Sequence, residues 1–370
     1  MRSIRSWIKN NGAFFAGNSM SKKRPPHIGR LPAGAADSIA DVPGVTVGHC
    51  TLNYGATQTG VTVVRPHGGD LFRQKVPAAA VTFNGFGKSV GLMQVEELGV
   101  LETPIALTNT FAVGAVATAQ MRAAVRDNPG IGRNLPSVNP LVFECNDGYL
   151  NDMQAFAVEE QHYRQALDNA SGAVVQGAVG AGRGMSCFDL KGGIGSASRK
   201  IAIGSAGYTV GALVLANFGK LPDLVVDGEP LGKTLKYLQK RLDEPEKGSI
   251  IMLIATDAPL DARQLRRLAG RAGVGLARTG SVYGHGSGDI ALAFSTAQTV
   301  PHLADAASPA LHFSCLHDNL LDPLFYAVAD STEQAILNAL FAAEAVKGRD
   351  GHQRRSLSDL LETLATMEPV

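Results

Sequence analysis

Residues 248–260 read GSIIMLIATDAPL, with six consecutive apolar residues, Ile250 to Ala255, near the start. An apolar run of this length, rich in β-branched residues, is typical of a strand that is buried on both faces. The preceding 21 residues, 227–247, contain ten charged residues and two prolines. The pattern predicts a solvated, mobile connection that runs directly into a buried strand, with the pair Gly248-Ser249 at the junction.

Outward from this junction, the sequence predicts short strands that alternate with helices. Residues 172–200 contain eight glycines, which indicate loops and hairpins without a helix. Turn signals are too frequent for a simple doubly wound sheet, so we expect an α/β protein with two stacked sheets covered by helices. The main predicted strands are 78–83, 104–110, 201–216, 250–255 and 290–295, and the main predicted helices are 90–98, 113–126, 265–272 and 327–345.

The composition is that of a globular protein. Of 370 residues, 45% are hydrophobic and 18% are charged, which leaves ample material for a core. The net charge of +1 gives no reason to expect nucleic acid as a partner. Residues 1–23 lack a secretory apolar region, and no run is long enough to span a membrane. We therefore expect a cytoplasmic protein that binds neither nucleic acid nor membranes.

The domain boundaries predicted from the sequence are simple. Residues 1–36 match no pattern that the rest of the chain continues, so they are interpreted as a poorly defined N-terminal extension. Residues 37–370 are expected to form a single catalytic domain. Met20 is an alternative to Met1 as the first residue of the protein.

Metal and cofactor sites are not favoured by the sequence. The four cysteines are far apart and lack metal-site spacing, and the set His312, Cys315 and His317 suits neither one helix face nor a zinc ribbon. The glycine-rich stretch GAVGAGRG, residues 177–184, lacks the Lys-Ser/Thr ending of a phosphate-binding loop. We predict no metal and no cofactor.

The pair Gly248-Ser249 is chemically competent for self-cleavage. Attack of the serine hydroxyl on the glycine carbonyl converts the amide to an ester, and water then releases Ser249 with a free α-amine. Such an amine has a pKa of about 7.7–8.0, so it can serve as the base for its own hydroxyl. Nucleophile and base then belong to one residue.

A second candidate element is the turn GHGSGDIALAF, residues 284–294. Its glycines permit close approach to a substrate, and Asp289 stands two residues after Ser287, where a carboxylate can orient a neighbouring hydroxyl or amine. An ordinary glycine hairpin remains an alternative interpretation. His285 in this turn is either solvated or part of a pocket.

These residues belong to a set of motifs that resembles the DmpA-like L-aminopeptidase/D-esterase and β-peptidyl aminopeptidase family, relatives of the ornithine acetyltransferases. The resemblance runs from about residue 37 to residue 354. The motifs are ADVPGVTVGH (40–49), VEELG (95–99), ALTNT (106–110), ECNDGYLND (144–152), GGIGSASR (192–199), GALVLANFG (211–219), GSIIMLIATDAPL (248–260), GSGDIALAFSTA (286–297) and DPLF (322–325).

The resemblance implies an αββα four-layer sandwich of the amino-terminal-nucleophile type and autoproteolysis between Gly248 and Ser249. The pieces 1–248 and 249–370 would assemble as αβ units of a larger homo-oligomer. The implied site residues are Ser249 as the nucleophile, Ser287 and Asp289 as its support, Asn217 as the donor to the oxyanion, Glu144 as the partner of the substrate's ammonium group, and Asn146 as a further substrate-binding residue.

The sequence departs from some relatives at two positions. Asn146 replaces an aromatic residue near the pocket, so the resemblance leaves the second oxyanion donor and the side-chain preference open. His285 stands where small or amide residues are common.

Three functions follow from the sequence. The first is a serine aminopeptidase or amidase acting on short peptides, amides or esters through an acyl-enzyme. The second is acyl transfer to a metabolite amine, as in the ornithine acetyltransferases, although a threonine nucleophile is typical there. The third is an uncleaved, non-catalytic binding protein that has kept the fold.

Overall fold

The computed structural model describes residues 25–238, 248–305 and 309–366. The predicted extension before residue 25, with both candidate initiators, lies outside the described residues. The strands are β1 (Thr46–Tyr54), β2 (Thr57–Arg65), β3 (Gln74–Gly85), β4 (Val100–Leu101), β5 (Ile105–Asn109), β6 (Leu141–Cys145), β7 (Ser186–Cys187), β8 (Leu190–Lys191), β9 (Gly193–Ile203), β10 (Ala206–Asn217), β11 (Ser249–Thr256), β12 (Gly288–Ser295), β13 (Val300–Pro301), β14 (Val346–Lys347) and β15 (Gln353–Arg354).

The helices lie between and after these strands. Each predicted helix forms, with bounds that differ from the predicted ones by up to six residues. Among the described residues, no helix is long and apolar enough to cross a lipid bilayer. The helices are α1 (Leu92–Leu98), α2 (Val113–Asp127), α3 (Glu160–Asp168), α4 (Leu231–Leu235), α5 (Ala262–Arg278), α6 (Asp322–Ala342) and α7 (Leu357–Thr366).

Two mixed sheets form the centre of the fold. The four-stranded sheet has the order β1-β2-β5-β6, and the seven-stranded sheet has the order β13-β3-β12-β11-β10-β9, with β4 paired to β3. In the larger sheet β11 is parallel to β12 and antiparallel to β10. The strand that the apolar run predicts therefore lies in the middle of this sheet, where both edges are hydrogen-bonded.

The side chains of β11 explain why that run is continuously apolar. Ile251, Leu253 and Ala255 face the small sheet, whereas the alternating residues face helices α5 and α6. Successive side chains of a strand point to opposite faces, so a strand between two buried layers needs apolar residues at every position. A further core packs α2 and α3 on the outer face of the small sheet. The layers are thus helix, sheet, sheet and helix, and the predicted αββα sandwich is confirmed.

The packed body begins before residue 37, the boundary that the sequence suggested. Ile28 is buried, its backbone N–H donates to Gln334 at 2.8 Å, and its carbonyl accepts from the fully buried Arg199. These contacts tie residues 25–36 to β9 and α6. The sequence obscured this because one buried isoleucine among polar, proline-rich residues gives no periodic signal.

The charged connection before Gly248 is only partly a solvated segment. Leu231 and Leu235 lie in the main core on helix α4, although charged residues surround them in sequence. Their spacing of four places both on one helix face, which the count of charges hid. Residues 239–247, the remainder of the predicted tether, lie outside the described residues.

Candidate active site

The candidate residues meet at one end of the seven-stranded sheet. In the register of neighbouring strands, Asn217 on β10 is paired with Ser249 on β11, Ser249 with Gly288 on β12, and Gly288 with Gly85 on β3. Neighbouring strands lie about 4.8 Å apart. Residues separated by more than 30 positions in sequence therefore form one row across the sheet.

Ser249 is the first residue of β11 and is only 4% exposed. Its hydroxyl oxygen accepts a hydrogen bond from the backbone N–H of Gly288 at 3.1 Å. A methyl group on Gly288 would lie 3.0 Å from the carbonyl oxygen of Phe86, a tight contact that a side chain could make only if the neighbouring chain shifted slightly. The glycine thus allows the backbone N–H to reach the serine hydroxyl.

Gly248 lies against the end of β10. A methyl group on it would lie 2.6 Å from Phe218 Cα and 2.7 Å from the carbonyl oxygen of Asn217. Both are backbone atoms, so no side chain can be accommodated without moving the chain. The glycine is therefore required by a close approach, which keeps the Gly248-Ser249 peptide beside Asn217.

Ser287 and Asp289 are joined directly. The Ser287 hydroxyl donates to Asp289 Oδ1 at 2.7 Å, and both side chains are buried. Asn84, at the end of β3, donates from Nδ2 to the carbonyl oxygens of Gly284 and His285 at 3.1 Å each, and also to that of Ser287. The turn that precedes β12 is thus held by one amide, and it presents a coupled hydroxyl and carboxylate beside the Ser249 end of the sheet.

The amide of Asn217 is fixed on both sides. Its Oδ1 accepts from the backbone N–H of Ser186 at 2.8 Å, and its Nδ2 donates to the carbonyl of Asn146 at 2.9 Å. One N–H group donates to Oδ1 and one carbonyl accepts from Nδ2, so the orientation of the amide is determined. Among the described residues, the second hydrogen on Nδ2 has no acceptor.

Glu144 reaches the same region from the small sheet. Its carboxylate accepts from the backbone N–H of Lys88 at 2.8 Å and from the hydroxyl of Thr110. A methyl group on Gly87 would lie 3.7 Å from this carboxylate and 3.9 Å from Gly288 Cα, so the glutamate lies close to the strand end that contacts Ser249. A buried carboxylate in this position provides a negative charge at the site.

The two residues at which the sequence departs from relatives lie at the rim. The side chain of Asn146 is exposed and accepts from the backbone N–H of Gly148 at 2.9 Å, so only its carbonyl contacts Asn217. His285 is exposed, with its ring centroid 6.4 Å from that of Phe86. In the described part of the chain, neither side chain hydrogen-bonds to Ser249.

A buried carboxyl lies beside this row. Asp147 is 1% exposed, and its Oδ1 accepts from Asn151 at 3.0 Å. Burial raises the pKa of this carboxyl to about 7, although hydrogen bonds from side chains such as Asn151 oppose the rise. Burial also raises the pKa of the neighbouring Cys145 thiol, whose Sγ lies 3.7 Å from the carbonyl oxygen of Leu215. Cys145 therefore remains a thiol at neutral pH.

The stretch 177–184 packs on the small sheet. The backbone N–H groups of Gly180 and Ala181 donate to the hydroxyls of Thr51 and Thr62. These donors would be needed to cradle a phosphate, so the loop is structural. His317, from the histidine and cysteine set, accepts from the N–H of Asn319 with Nδ1 at 3.2 Å and so begins a short helical turn.

Sequence reasoning missed two residues of the site. Thr110 holds the Glu144 carboxylate, and Asn84 holds the turn before β12. Thr110 belongs to the motif ALTNT, so the resemblance contained a signal to which no role was assigned. The sequence contains no comparable signal for Asn84, because its partners are backbone carbonyls 200 to 203 residues away in sequence.

The sequence is similar to those of known peptidases. The model of peptidase family S58 matches residues 37–354. A relative named β-peptidyl aminopeptidase BapA, from Sphingosinicella microcystinivorans, is 38% identical over 343 residues, which cover 86% of this chain and 85% of the relative.

Two solved structures are similar throughout their length. The PH0078 protein of Pyrococcus horikoshii OT3 has a TM-score of 0.86 and 47% identity, covering 91% of this chain and 96% of that one. The L-aminopeptidase D-Ala-esterase/amidase of Ochrobactrum anthropi, described as a prototype for the serine aminopeptidases and a variant of the Ntn-hydrolase fold, has a TM-score of 0.82 and 33% identity, covering 92% and 98%. The chain therefore belongs to peptidase family S58 and is an aminopeptidase with the amino-terminal-nucleophile hydrolase fold.

Proposed function

We propose that the chain cleaves itself between Gly248 and Ser249 and that the released Ser249 is the nucleophile of the mature enzyme. The observation that carries the proposal is the row formed by Asn217, Ser249 and Gly288 across three neighbouring strands. This row surrounds a buried hydroxyl with an amide donor on one side and a backbone N–H on the other. The glycine before the serine is the only residue that fits there.

In the processing step, the Ser249 hydroxyl oxygen attacks the carbonyl carbon of Gly248. A C–O bond forms and the C–N bond breaks, while the hydroxyl proton passes to the departing nitrogen and yields an ester. Water then adds to the ester carbonyl and forms a tetrahedral intermediate. Collapse of this intermediate restores the Ser249 hydroxyl and leaves Gly248 as a free carboxylate. The products are chains 1–248 and 249–370, and the latter begins with an amine and a hydroxyl on one residue.

In the catalytic step, the α-amine of Ser249 takes the proton of its own hydroxyl as that oxygen attacks the substrate carbonyl. The tetrahedral oxyanion accepts a hydrogen bond from Asn217 Nδ2, a contribution typically of about 10²–10³ in turnover. Collapse expels the leaving amine or alcohol, which takes the proton, and leaves an acyl-enzyme that water hydrolyses. Ser287, held by Asp289, stabilises the protonated amine and orients the hydroxyl.

Glu144 makes the enzyme an exopeptidase in this scheme. Its buried carboxylate forms an ion pair with the free ammonium group of the substrate, and its bonds to Thr110 and the Lys88 N–H fix its position. Charge-assisted hydrogen bonds are the stronger kind, so a substrate with a blocked amine loses this contribution. We propose short peptides, amides and esters with a free amine as substrates, and Asn146 as a residue that lines their pocket.

We further propose a cytoplasmic homo-oligomer of αβ units. The four cysteines are all free thiols, which fits a reducing compartment. Several large apolar side chains are individually exposed, as subunit contacts would require, and they include Leu303, Leu311, Phe313, Leu320 and Tyr326.

The intact mass of the purified protein tests the proposal without any assumption about substrate. We expect two polypeptides, one ending at Gly248 and one beginning at Ser249, in equal amounts. A single full-length chain after prolonged incubation would contradict self-processing and favour the uncleaved binding protein. Release of acyl groups only in the presence of an acceptor amine would favour the acyl-transfer alternative.

A further inference from the structure

A fully buried lysine lies behind the Asn217 amide. Lys191, the last residue of β8, is 0% exposed. Its Nζ donates to three backbone carbonyls, those of Gly182 at 2.9 Å, Met185 at 2.7 Å and Gly192 at 2.7 Å. The three contacts match the three N–H groups of an ammonium, whereas a neutral amine has only two. The carbonyls thus take the place of water around a buried cation.

The environment of this cation is otherwise unfavourable. Burial lowers the pKa of Lys191 well below its usual value, and the Arg183 guanidinium acts in the same direction, whereas the Asp147 carboxylate opposes it. A buried charge of this kind is costly, and a methionine of similar length would avoid that cost. It would remove one donor from each of the three carbonyls, but those of Gly182 and Met185 would still accept from backbone N–H groups. The stability of the loop alone is therefore a weak reason for a lysine at this position.

One peptide group connects the ammonium to the site. The carbonyl of Met185, which accepts from Lys191, and the N–H of Ser186, which donates to Asn217 Oδ1 at 2.8 Å, belong to the same planar amide. A donor at the carbonyl polarises the amide, so its N–H becomes a better donor in turn. The chain of bonds continues through the Asn217 amide to Nδ2, the group that faces the oxyanion in the proposed mechanism.

A second basic residue provides a comparison at the same loop. Arg354 donates to the Ser186 hydroxyl at 3.0 Å and lies 3.7 Å over the ring of Tyr149. Arg354 thus holds the Ser186 side chain, whereas Lys191 bonds to the peptide group that faces Asn217. Of these two contacts, only the hydrogen bond from Lys191 is made to the peptide group that also bonds to Asn217.

We propose that Lys191 is a positioning residue for catalysis, which orients and polarises the Asn217 amide through the Met185-Ser186 peptide group. The inference rests on the proposed role of Asn217 as the oxyanion donor. Lys191 contacts neither the substrate nor Ser249 in this scheme. Its effect is exerted on the transition state and the tetrahedral intermediate, because the bound substrate carries no oxyanion.

A double-mutant cycle tests the coupling. Lys191→Met, Asn217→Ala and the double variant are purified, and kcat and KM are measured on a dipeptide with a free amino terminus. We expect Lys191→Met to lower kcat by roughly 10- to 100-fold, the range typical for supporting partners of catalytic ligands, with little change in KM. In the Asn217→Ala background the same substitution has little further effect, because the amide through which it acts is gone.

A matched control is available on the same sheet. Lys75 is largely buried and pairs with Glu102, and it lies on β3 about 30 Å along the strand from Asn84, at ~3.3 Å per residue. Lys75→Met removes a lysine charge of comparable burial and should leave kcat unchanged. Intact mass and circular dichroism establish that each variant is cleaved and folded. If Lys191→Met does not fold, Lys191→Gln, which keeps an N–H donor without the charge, enters the same cycle with a smaller expected loss.

The outcomes are distinct. If Lys191→Met lowers kcat equally with and without the Asn217 side chain, Lys191 does not act through the Asn217 amide and the inference is refuted. The proposed function would remain intact. Unchanged kcat in folded Lys191→Met would refute the inference as well. If Asn217→Ala alone has full activity, the oxyanion assignment of the proposed function fails, and the inference fails with it.

Discussion

The two ends of strand β11 carry buried hydroxyls in opposite circumstances. At the far end, Thr256 Oγ1 donates to the carbonyl of Thr209 at 2.9 Å and accepts from the N–H of Ala258 at 3.1 Å. At the near end, the Ser249 hydroxyl accepts from the Gly288 N–H, and its own proton has no acceptor among the described residues. The Thr256 hydroxyl therefore both donates and accepts a hydrogen bond, whereas the Ser249 hydroxyl only accepts one among the described residues.

The neighbours of each hydroxyl show the same contrast. Around Thr256, polar side chains bond to backbone, as Asp257 does with the N–H of Thr209 and Ser295 with the carbonyl of Ala258. Around Ser249, the Ser287 hydroxyl bonds to the Asp289 carboxylate, whereas the Ser249 hydroxyl bonds only to the Gly288 N–H among the described residues. A buried polar group that is fully bonded contributes to stability, while one that is held in place but left incompletely bonded can react. The comparison favours a structural role for Thr256 and agrees with the reactive role that we propose for Ser249.

The largest expected effect is that of Ser249→Ala. The variant lacks the hydroxyl needed for both attack steps, so we expect one uncleaved chain without measurable peptidase activity. Mass spectrometry and a peptide hydrolysis assay check this. Ser249→Thr is the matched variant, because threonine supplies both the hydroxyl and the amine, and it should retain some processing. Normal cleavage of Ser249→Ala would overturn the nucleophile assignment.

Asn217→Ala comes next in size. Removal of an oxyanion donor should lower kcat by about 10²–10³ with KM nearly unchanged. The substitution also leaves the Ser186 N–H and the Asn146 carbonyl without the Asn217 amide as their partner. The midpoint of thermal unfolding is therefore measured as a control for loss of stability. A rise in KM with unchanged kcat would instead indicate a role in substrate binding.

Glu144→Gln should affect recognition more than chemistry. Loss of a charged partner should raise KM about 10- to 100-fold for substrates with a free amine, equivalent to roughly 1.5–3 kcal/mol for hydrogen bonds to charged groups. Hydrolysis of an ester with a blocked amine should be almost unaffected. An equal loss on both substrates would assign Glu144 a structural role through Thr110 and the Lys88 N–H.

The smallest catalytic effect is expected at the opposite end of the strand. Thr256→Val leaves the Ala258 N–H and the Thr209 carbonyl without a partner, so the free energy of unfolding should fall by about 1–3 kcal/mol. We expect a lower midpoint temperature of thermal unfolding. The kcat should stay within about twofold of the parent value, because Ser249 lies at the other end of β11. A loss of kcat at unchanged midpoint would contradict the division between the two ends.

Part of this site was predictable because its signals are local in sequence. The apolar run after Ser249 predicted a strand buried on both faces, and the motif around residues 284–294 predicted a turn with Ser287 and Asp289 close together. Glu144 and Asn217 were assigned through resemblance, since nothing in their immediate neighbours indicates a role. Leu231 and Leu235 were hidden by the charges around them, although their spacing contained the signal.

By itself, the sequence determined where the main strands lie, that the strand after Ser249 is buried, and the resemblance to a peptidase family, because each depends on residue types at fixed spacing. Only the tertiary structure decided which hydrogen bonds orient the Asn217 amide. It also decided that Lys191 donates to the Met185-Ser186 peptide group, which contacts that amide. The physical reason is that nearly every residue carries the same backbone N–H and C=O groups. Which of them faces a given side chain is therefore set by the packing of distant segments.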